Sequence, residues 1–143
     1  MKIMAIDYGD ARTGFAISDR SEFLASPIGT VPERNVERLA DKAAQTAAEY
    51  GAGEIIVGLP INMNGTEGPR AEKCRAFAEL LKERPALPVR MWDERSTTVT
   101  AHNILNETNV RGKARKAVVD TVAATIILEG YLEYRRKKAK QAD

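Results

Sequence analysis

The sequence predicts an α/β fold in which one mixed β-sheet carries helices on its faces. Two short apolar runs, KIMAID and TGFAIS, are joined by the turn-rich segment YGDAR and predict a β-hairpin at the start of the chain. Later strands alternate with amphipathic helical segments, which is the pattern of an α/β sheet. Because a hairpin is antiparallel and alternating units are parallel, the sheet should be mixed.

The first half of the chain supplies three strands, a helix and a fourth strand. KIMAID and TGFAIS are the first two strands, and ASPIGTV is the third. The segment NVERLADKAAQTAAEY has apolar residues at helical spacing, and Gly51 follows it where a helix would stop. The β-branched content of EIIVGLP then predicts a buried strand.

The second half predicts a loop, a strand and three helices. Turn residues make up INMNGTEGP, whose Pro69 suits the first turn of a helix through RAEKCRAFAELLKER. The strand LPVRMWDE follows, and Ser96 caps a helix over TTVTAHNILNE. A basic loop, NVRGKARK, leads into a last helix that begins at about Ala117.

Length and composition indicate one compact domain. A chain of 143 residues with 43% hydrophobic content can bury a real core, so we expect a single domain over 1–143 with a basic C-terminal tail from about residue 135. The first residues do not fit a signal peptide, and the apolar stretch AVVDTVAATIIL is far below the roughly 18 residues of a membrane span. We therefore expect a soluble, cytoplasmic protein with no membrane partner.

Residue counts also exclude some kinds of site. One cysteine and one histidine, Cys74 and His102, are too few for an internal disulfide or a Cys/His zinc site. His102 falls among polar residues and is interpreted as a surface or packing residue. From Arg111 onward the chain has nine Lys/Arg against four Asp/Glu, so its basic character is local and favours a phosphate-bearing partner there.

Acidic residues close two of the predicted strands. Asp7 ends the first strand, and Asp93 and Glu94 end the last. Chemistry in open α/β sheets gathers at the carboxyl ends of the strands, so both positions are candidates for a site. Structural interpretations remain open, since Asp7 could form an Asx turn before Gly9 and Glu94 could pair with Arg95 on the surface.

A third acid, Asp120, lies among apolar residues near the start of the last helix. If that helix packs on the sheet, Asp120 points at protein, although it could instead complement the helix dipole. Carboxylates about 4 Å apart repel by roughly 4 kcal/mol at an effective dielectric of about 20. A cluster of the three acids would therefore require a proton or a hard divalent cation such as Mg²⁺.

Four segments of the sequence together resemble the YqgF family, RNase H-like proteins named as pre-16S rRNA nucleases or Holliday junction resolvases. They are DYGDARTG, VGLPINMNGTEGPRAEKCRAFAELL, DERSTT and KAVVDTVAATIILEGYL, in order and at normal spacing over nearly the whole chain. The resemblance implies an RNase H-like fold, with a five-stranded mixed sheet whose first three strands are antiparallel and helices on both faces. It also implies that Asp7, Glu94 and Asp120 bind Mg²⁺ or Mn²⁺ as the catalytic cluster of a two-metal-ion nuclease, a hydrolase of phosphodiester bonds.

Substrate contacts are expected around the same acids. Gly9 and Gly14 would let the backbone turn tightly and approach a phosphate, and the planar fork of Arg12 would fit a phosphate oxygen, unless Arg12 is a solvated hairpin residue. Trp92 is interpreted as a core residue. The remaining residues expected to bind nucleic acid are Asn62, Asn64, Arg95, Lys113, Arg115 and Lys116.

The expected function is maturation of the 5′ end of pre-16S rRNA in ribosome biogenesis. RNA is favoured over branched DNA as the partner, with a ribosomal precursor particle as a further partner and a monomer or weak homodimer as the assembly. The alternatives are a Holliday junction resolvase, which would be a symmetric dimer, and a nucleic-acid-binding factor without catalysis. Asp-x-Gly after a first strand also resembles the phosphate-binding element of actin-like ATPases and sugar kinases, which close two such domains around a nucleotide, and 143 residues supply only one.

Overall fold

Five strands in one sheet and three helices make up the described part of the chain. The computed structural model describes residues 1–84, 87–93 and 112–142, with side chains of the last range described from 122 to 140. The strands are β1 (Lys2–Asp7), β2 (Arg12–Ser18), β3 (Ala25–Pro32), β4 (Ala52–Leu59) and β5 (Val89–Asp93), and the helices are α1 (Val36–Tyr50), α2 (Pro69–Lys82) and α3 (Gly112–Ala142).

The sheet has the strand order β3-β2-β1-β4-β5, which makes β1 its central strand. β1 is antiparallel to β2, and β2 is antiparallel to β3. On the other side, β1 is parallel to β4 and β4 is parallel to β5. The predicted hairpin, the antiparallel first three strands and the mixed α/β sheet are all confirmed.

Helices cover both faces of the sheet, and alternate residues of β1 point to opposite faces. Met4 and Ile6 belong to a core under α1 and α2, whereas Ile3 and Ala5 belong to a second core under α3. Because both faces are covered, the central strands are continuous apolar runs rather than alternating ones. Trp92 packs half-buried against the α3 core, as predicted.

The ends of α1 and α2 follow the sequence closely. Asn35 caps α1, its side-chain oxygen accepting from the N–H of Arg38 at 2.9 Å. Gly51 ends α1 with φ 69°, a left-handed conformation that glycine adopts without steric cost. Pro69 occupies the first turn of α2, as predicted.

Helix α3 differs from its predicted bounds at the amino end. The expected loop NVRGKARK is already helical from Gly112, so the predicted start at about Ala117 is wrong. Lys, Ala and Arg are good helix formers, and that propensity outweighs the turn character of the single glycine. The predicted helix over 97–107, with Ser96 and His102, lies outside the described residues.

The carboxyl-terminal half of α3 is fastened to the sheet through buried charge. Glu54, 1% exposed on β4, accepts hydrogen bonds from the hydroxyl of Tyr131 at 3.1 Å and pairs with Arg90 Nε at 2.6 Å. Arg135 Nε pairs with Glu22 at 2.6 Å in the turn between β2 and β3. The last turns of α3 therefore lie near the amino ends of β1 and β4. None of the described helices combines the length and the apolarity that crossing a membrane would take.

Candidate active site

Three parallel strands, β1, β4 and β5, end at one edge of the sheet. Asp7 is the last residue of the central strand β1 and is half-buried. Asp93 is the last residue of β5 and is exposed. This carboxyl edge of the sheet is the position at which open α/β sheets bind ligands.

Glycines flank Asp7 on both neighbouring strands. Gly14 of β2 pairs directly with Asp7. On the other side Val57 pairs with Ile6, so that Gly58 is the next residue of β4 beside Asp7. Because glycine has no side chain, neither neighbouring strand places a side chain beside the Asp7 carboxylate at this level. Our sequence interpretation gave no role to Gly58, although a glycine inside a β-branched strand is a known mark of close approach by a ligand or backbone.

The turn after Asp7 is too tight for any residue but glycine at position 9. A Cβ on Gly9 would lie 1.9 Å from the backbone oxygen of Arg12. The N–H of Gly9 donates to Oγ1 of the buried Thr13 at 3.2 Å. Arg12, half-buried, begins β2 directly after this turn. The turn itself therefore requires glycine at position 9, and the approach of Gly9 to a phosphate stays a prediction.

A second element, α2, holds the same turn from outside. Arg70 donates a hydrogen bond to the backbone oxygen of Tyr8, lies 5.7 Å from the centre of the Tyr8 ring and pairs with Asp10 at 3.6 Å. The Tyr8 ring stacks on Phe77 with centroids 4.9 Å apart. Burial raises the pKa of Tyr8 above its ordinary value. Arg70 therefore fixes the backbone one residue beyond Asp7, a role that no sequence pattern indicated.

The amides of Asn62 and Asn64 organise the loop between β4 and α2. Nδ2 of Asn62 donates to Oγ1 of Thr66 at 3.0 Å, and Oδ1 of Asn64 accepts from the same hydroxyl at 2.6 Å. Both asparagines are exposed on the loop that follows the carboxyl end of β4. Their described contacts are with this loop, and their contact with nucleic acid stays a prediction.

The other predicted site residues fall where the side chains are not described. Glu94 and Arg95 lie outside the described residues. Helix α3 carries the positions of Lys113, Arg115, Lys116 and Asp120, of which the structure gives the backbone alone. Within residues 1–84, 87–93 and 122–140, no three His, Cys, Asp or Glu side chains are grouped as metal ligands. The structure thus brings Asp7, Gly9, Arg12 and Gly14 together and leaves Glu94 and Asp120 as predictions.

Known proteins resemble the chain over almost its whole length. The model of the RuvX family, described as Holliday junction resolvase, matches residues 1–134. A protein of Halothermothrix orenii named "Putative pre-16S rRNA nuclease" is 45% identical over 137 residues, which are 96% of this chain and 98% of that protein. A protein of the same name from Clostridium novyi is 45% identical over 133 residues, 93% of this chain and 98% of that protein.

Solved structures share the fold at low identity. Thermus thermophilus RuvC has a TM-score of 0.57 and 11% identity, covering 96% of this chain and 97% of that chain. The same protein in complex with Holliday junction substrate has a TM-score of 0.57 and 12% identity, covering 95% of this chain and 96% of that chain. These likenesses confirm the predicted RNase H-like architecture. Together with the family match over residues 1–134, they agree with the resemblance read from the sequence, and the chain belongs to the RuvX (YqgF) family.

Proposed function

We propose that this protein is a metal-dependent nuclease that hydrolyses phosphodiester bonds at the 5′ end of pre-16S rRNA. Membership of the RuvX family supports the nuclease activity, and the name of its relatives in Halothermothrix orenii and Clostridium novyi supports this substrate. The observation that carries the proposal is the position of Asp7, a half-buried carboxylate at the end of the central strand with glycines on both neighbouring strands.

Asp7, Glu94 and Asp120 are proposed to form one acidic cluster. Glu94 directly follows Asp93, the last residue of β5, at the same edge as Asp7. Position 120 is eleven residues before Tyr131, which is about 16 Å along a helix. The hydroxyl of Tyr131 donates a hydrogen bond to Glu54 of β4, and Glu54 pairs with Ile3 of β1 in the sheet. Asp7 lies four residues beyond Ile3, which is about 13 Å along a strand. These two lengths support the proposal that position 120 of α3 lies near the level of Asp7.

The donors of this cluster fit a hard divalent cation. All three ligands would be carboxylates, which Mg²⁺ and Mn²⁺ prefer, and the half-exposed Asp7 leaves space for water and for a substrate phosphate. Bound there, the ions would activate the attacking water and stabilise the leaving oxygen of an in-line displacement. The chain itself would supply the carboxylates, with glycines on both strands beside Asp7.

Residues around the cluster are proposed to hold the substrate strand. Arg12 begins β2 next to the Gly9 turn, and its planar guanidinium is proposed to contact a phosphate there. Gly9 and Gly14 leave room for the backbone of the nucleic acid. The others proposed to contact it are Asn62, Asn64, Arg95, Lys113, Arg115 and Lys116, the last three in the first turns of α3.

A second candidate function is Holliday junction resolution. The RuvX model is described by this activity, and Thermus thermophilus RuvC, of the same fold, is known in complex with a Holliday junction substrate. Resolution needs paired cuts and therefore a symmetric dimer. We favour a single RNA strand, with the chain acting as one domain, a monomer or weak homodimer, in the cytoplasm on a ribosomal precursor particle.

The test supplies both substrates to the wild-type protein and to single-carboxylate variants. We expect Asp7→Asn, Glu94→Gln and Asp120→Asn each to abolish cleavage of a pre-16S 5′ RNA while still binding it. Asp93→Asn is the matched control, because Asp93 is an acid of the same edge outside the proposed cluster, and it should still cut. Cleavage should stop on chelation and return with Mg²⁺ or Mn²⁺.

The outcomes separate the candidate functions. Paired symmetric nicks in a four-way junction without RNA cleavage would replace the first candidate by the second. Cleavage at the wild-type rate by Asp120→Asn would remove that residue from the cluster. Binding without cleavage of either substrate would leave a nucleic-acid-binding factor.

A further inference from the structure

A cleft of about 390 Å³ lies beside the turn that follows Asp7 and has no role in the acidic cluster. Its floor is apolar and its rim is charged, and its volume is within the range of small-ligand sites. The residues that line it are Tyr8, Asp10, Arg34, Val36, Lys73, Ala76 and Phe77.

The cleft and Asp7 lie on opposite faces of the same strand end. Tyr8 follows Asp7 directly and belongs to the core under α1 and α2. Successive side chains of a strand point to opposite faces, so the Asp7 carboxylate lies on the α3 face. A nucleic acid strand that crosses the carboxyl edge at Asp7 would therefore reach the cleft with a neighbouring nucleotide.

Cations outnumber the acid at the rim of the cleft. Arg34 and Lys73 line it directly, and Arg70 contacts Tyr8 and Asp10 beside it. Asp10, 57% exposed, is shared between Arg70 at 3.6 Å and Lys73 at 3.4 Å. Within the described part of the chain Arg34 is exposed and makes no ion pair. The rim therefore has a net positive charge with one cation available to an incoming anion.

The exposed apolar surface of the cleft comes chiefly from Val36 and Ala76, because Tyr8 is 6% exposed and Phe77 is fully buried. Tyr8 and Phe77 are stacked and buried, Val36 is half-buried, and the exposed Ala76 of α2 places only a methyl group at the mouth. An apolar floor beside cations is the combination that proteins use to bind a base together with its phosphate.

We propose that this cleft binds the base and phosphate of an RNA nucleotide that neighbours the scissile bond, an inference that rests on the proposed function. The base lies on the floor between α1 and α2. Its phosphate pairs with Arg34 and Lys73 and competes with Asp10 for the lysine. The cleft thus sets the register of the strand over Asp7.

The first experiment measures binding without metal, by the fluorescence anisotropy of a labelled single-stranded oligoribonucleotide. We expect Arg34→Gln to weaken binding and to reduce the slope of log K against log salt by about 0.7, the value for one phosphate contact to a single strand. Arg20→Gln is the matched control, because Arg20 is likewise exposed and without an ion pair in the described structure but follows β2 at the opposite edge. If Arg34→Gln and Arg20→Gln lost the same binding affinity and salt dependence, the proposal would be overturned, because binding would then depend only on the total charge of the protein.

The second experiment tests the base and the competing acid. An abasic site is placed at each position of the oligoribonucleotide in turn, and one position should weaken binding to the wild-type protein most. In Ala76→Trp, where the exposed position allows the larger ring without disturbing the core, that position-specific loss should disappear. Asp10→Asn should tighten binding by removing the carboxylate that pairs with Lys73. The proposal would be contradicted if the abasic site at that position still weakened binding to Ala76→Trp more than abasic sites elsewhere. Weaker binding by Asp10→Asn would also contradict it.

Failure of this inference is distinguishable from failure of the proposed function. The binding measurements contain no metal and require no cleavage, so they do not depend on the assignment of Asp7, Glu94 and Asp120. Cleavage that depends on those acids with no effect of Arg34→Gln or Ala76→Trp on binding would overturn the cleft alone. Cleft-dependent binding by a protein that never cuts would support the cleft and refute the nuclease assignment.

Discussion

Gly9 lies in the turn between Asp7 and Arg12, where the backbone leaves no space for a side chain. Its missing side chain lets the chain reverse between Asp7 and Arg12, and the buried hydroxyl of Thr13 accepts its N–H. A glycine in such a turn is set by the close approach of two backbone segments and not by its dihedral freedom alone. Any side chain there must move the oxygen of Arg12, and with it the start of β2.

We therefore expect Gly9→Ala to destabilise the protein by at least about 1–3 kcal/mol, the usual cost of an overpacked position, and to lower cleavage further by shifting Asp7. The check is the midpoint of urea unfolding. Gly53→Ala is the control, because the atoms nearest to its new Cβ belong to the flexible side chain of Met1, with Sδ at 3.0 Å. A Gly9→Ala protein as stable as Gly53→Ala would refute the steric explanation.

Single residues differ in how far the sequence reveals them. Asp7 was predictable because an acid that ends an apolar strand is conspicuous, and Gly9 because it follows in a turn. Arg70 was not predictable, since its contact with Tyr8 joins residues 62 positions apart and depends on how α2 packs on the sheet. Gly58 was visible as a glycine in a strand, but its place beside Asp7 follows only from the register of β1 and β4.

The carboxyl-terminal end of helix α3 is held by Glu22. Burial raises the pKa of Glu22, but hydrogen bonds from Arg135 and the amino terminus outweigh it, so the pKa lies below its ordinary 4.5. Arg136 adds a hydrogen bond from Nη1 to the backbone oxygen of Glu22 at 3.2 Å. The segment expected as a basic tail from about residue 135 is therefore the helical end of α3, with at least two residues engaged in the fold.

Folding lowers the pKa of the Glu22 carboxyl, so its charged form adds to the free energy of unfolding. This contribution is complete at pH values above the pKa of the group in the unfolded chain, and it is lost as the pH falls through the pKa in the folded protein. We expect Glu22→Gln to cost about 2 kcal/mol near neutral pH, a typical loss for a charged hydrogen bond. For a chain of this size that is roughly 5 °C in Tm. The difference from wild type should shrink as the pH falls below 4.5, measured by thermal unfolding across pH.

The control for this pair is Glu79→Gln, which removes an exposed i,i+3 pair with Lys82 on α2. Such surface pairs contribute about 0.5 kcal/mol or less, so its Tm should stay close to wild type at every pH. A loss in Glu22→Gln that is equal at neutral and acid pH would show that the side chain's packing, and not its charge, stabilises α3.

The bounds of α3 show what pattern reading at the level of elements misses. A glycine between basic residues is typical of a loop, and the sequence interpretation placed one there. The residues from Lys113 to Lys116 are nevertheless good helix formers, and the following apolar turns propagate the helix back through them. For the same reason a deletion from Arg135 would test stability as well as nucleic-acid binding, because it removes the contacts with Glu22.

At the scale of the whole molecule, the sheet separates two cores that share only its strands. The core under α1 and α2 and the core under α3 draw on alternate residues of β1. The sequence predicted a mixed α/β sheet because the hairpin and the alternating units are local patterns. The number of strands and the antiparallel arrangement of the first three came from the family resemblance, and the order β3-β2-β1-β4-β5 came from the structure, since composition and periodicity do not specify which strands are neighbours.

The two-core architecture predicts a gradient of backbone protection. β1 and β4 each have neighbours on both sides and are largely buried, whereas β3 lies at one end of the sheet and is half-exposed along its length. Amide hydrogen exchange should therefore be slowest in β1 and β4 and faster in β3. Mass spectrometry of peptides from these strands is the measurement, with α1 as an internal reference. Equal protection of β3 and β1 would contradict the gradient.

The burial of Cys74 makes the chain well suited to site-specific labelling. It is the one cysteine of the sequence and is 2% exposed, on α2 behind the cleft. A buried thiol reacts slowly with alkylating probes, so we expect little background labelling of Cys74 in the folded protein. A cysteine introduced at the exposed Glu72, one helical turn before Ala76 and outside the lining of the cleft, would then carry a fluorophore beside the cleft, and its emission would follow the arrival and departure of a strand in real time.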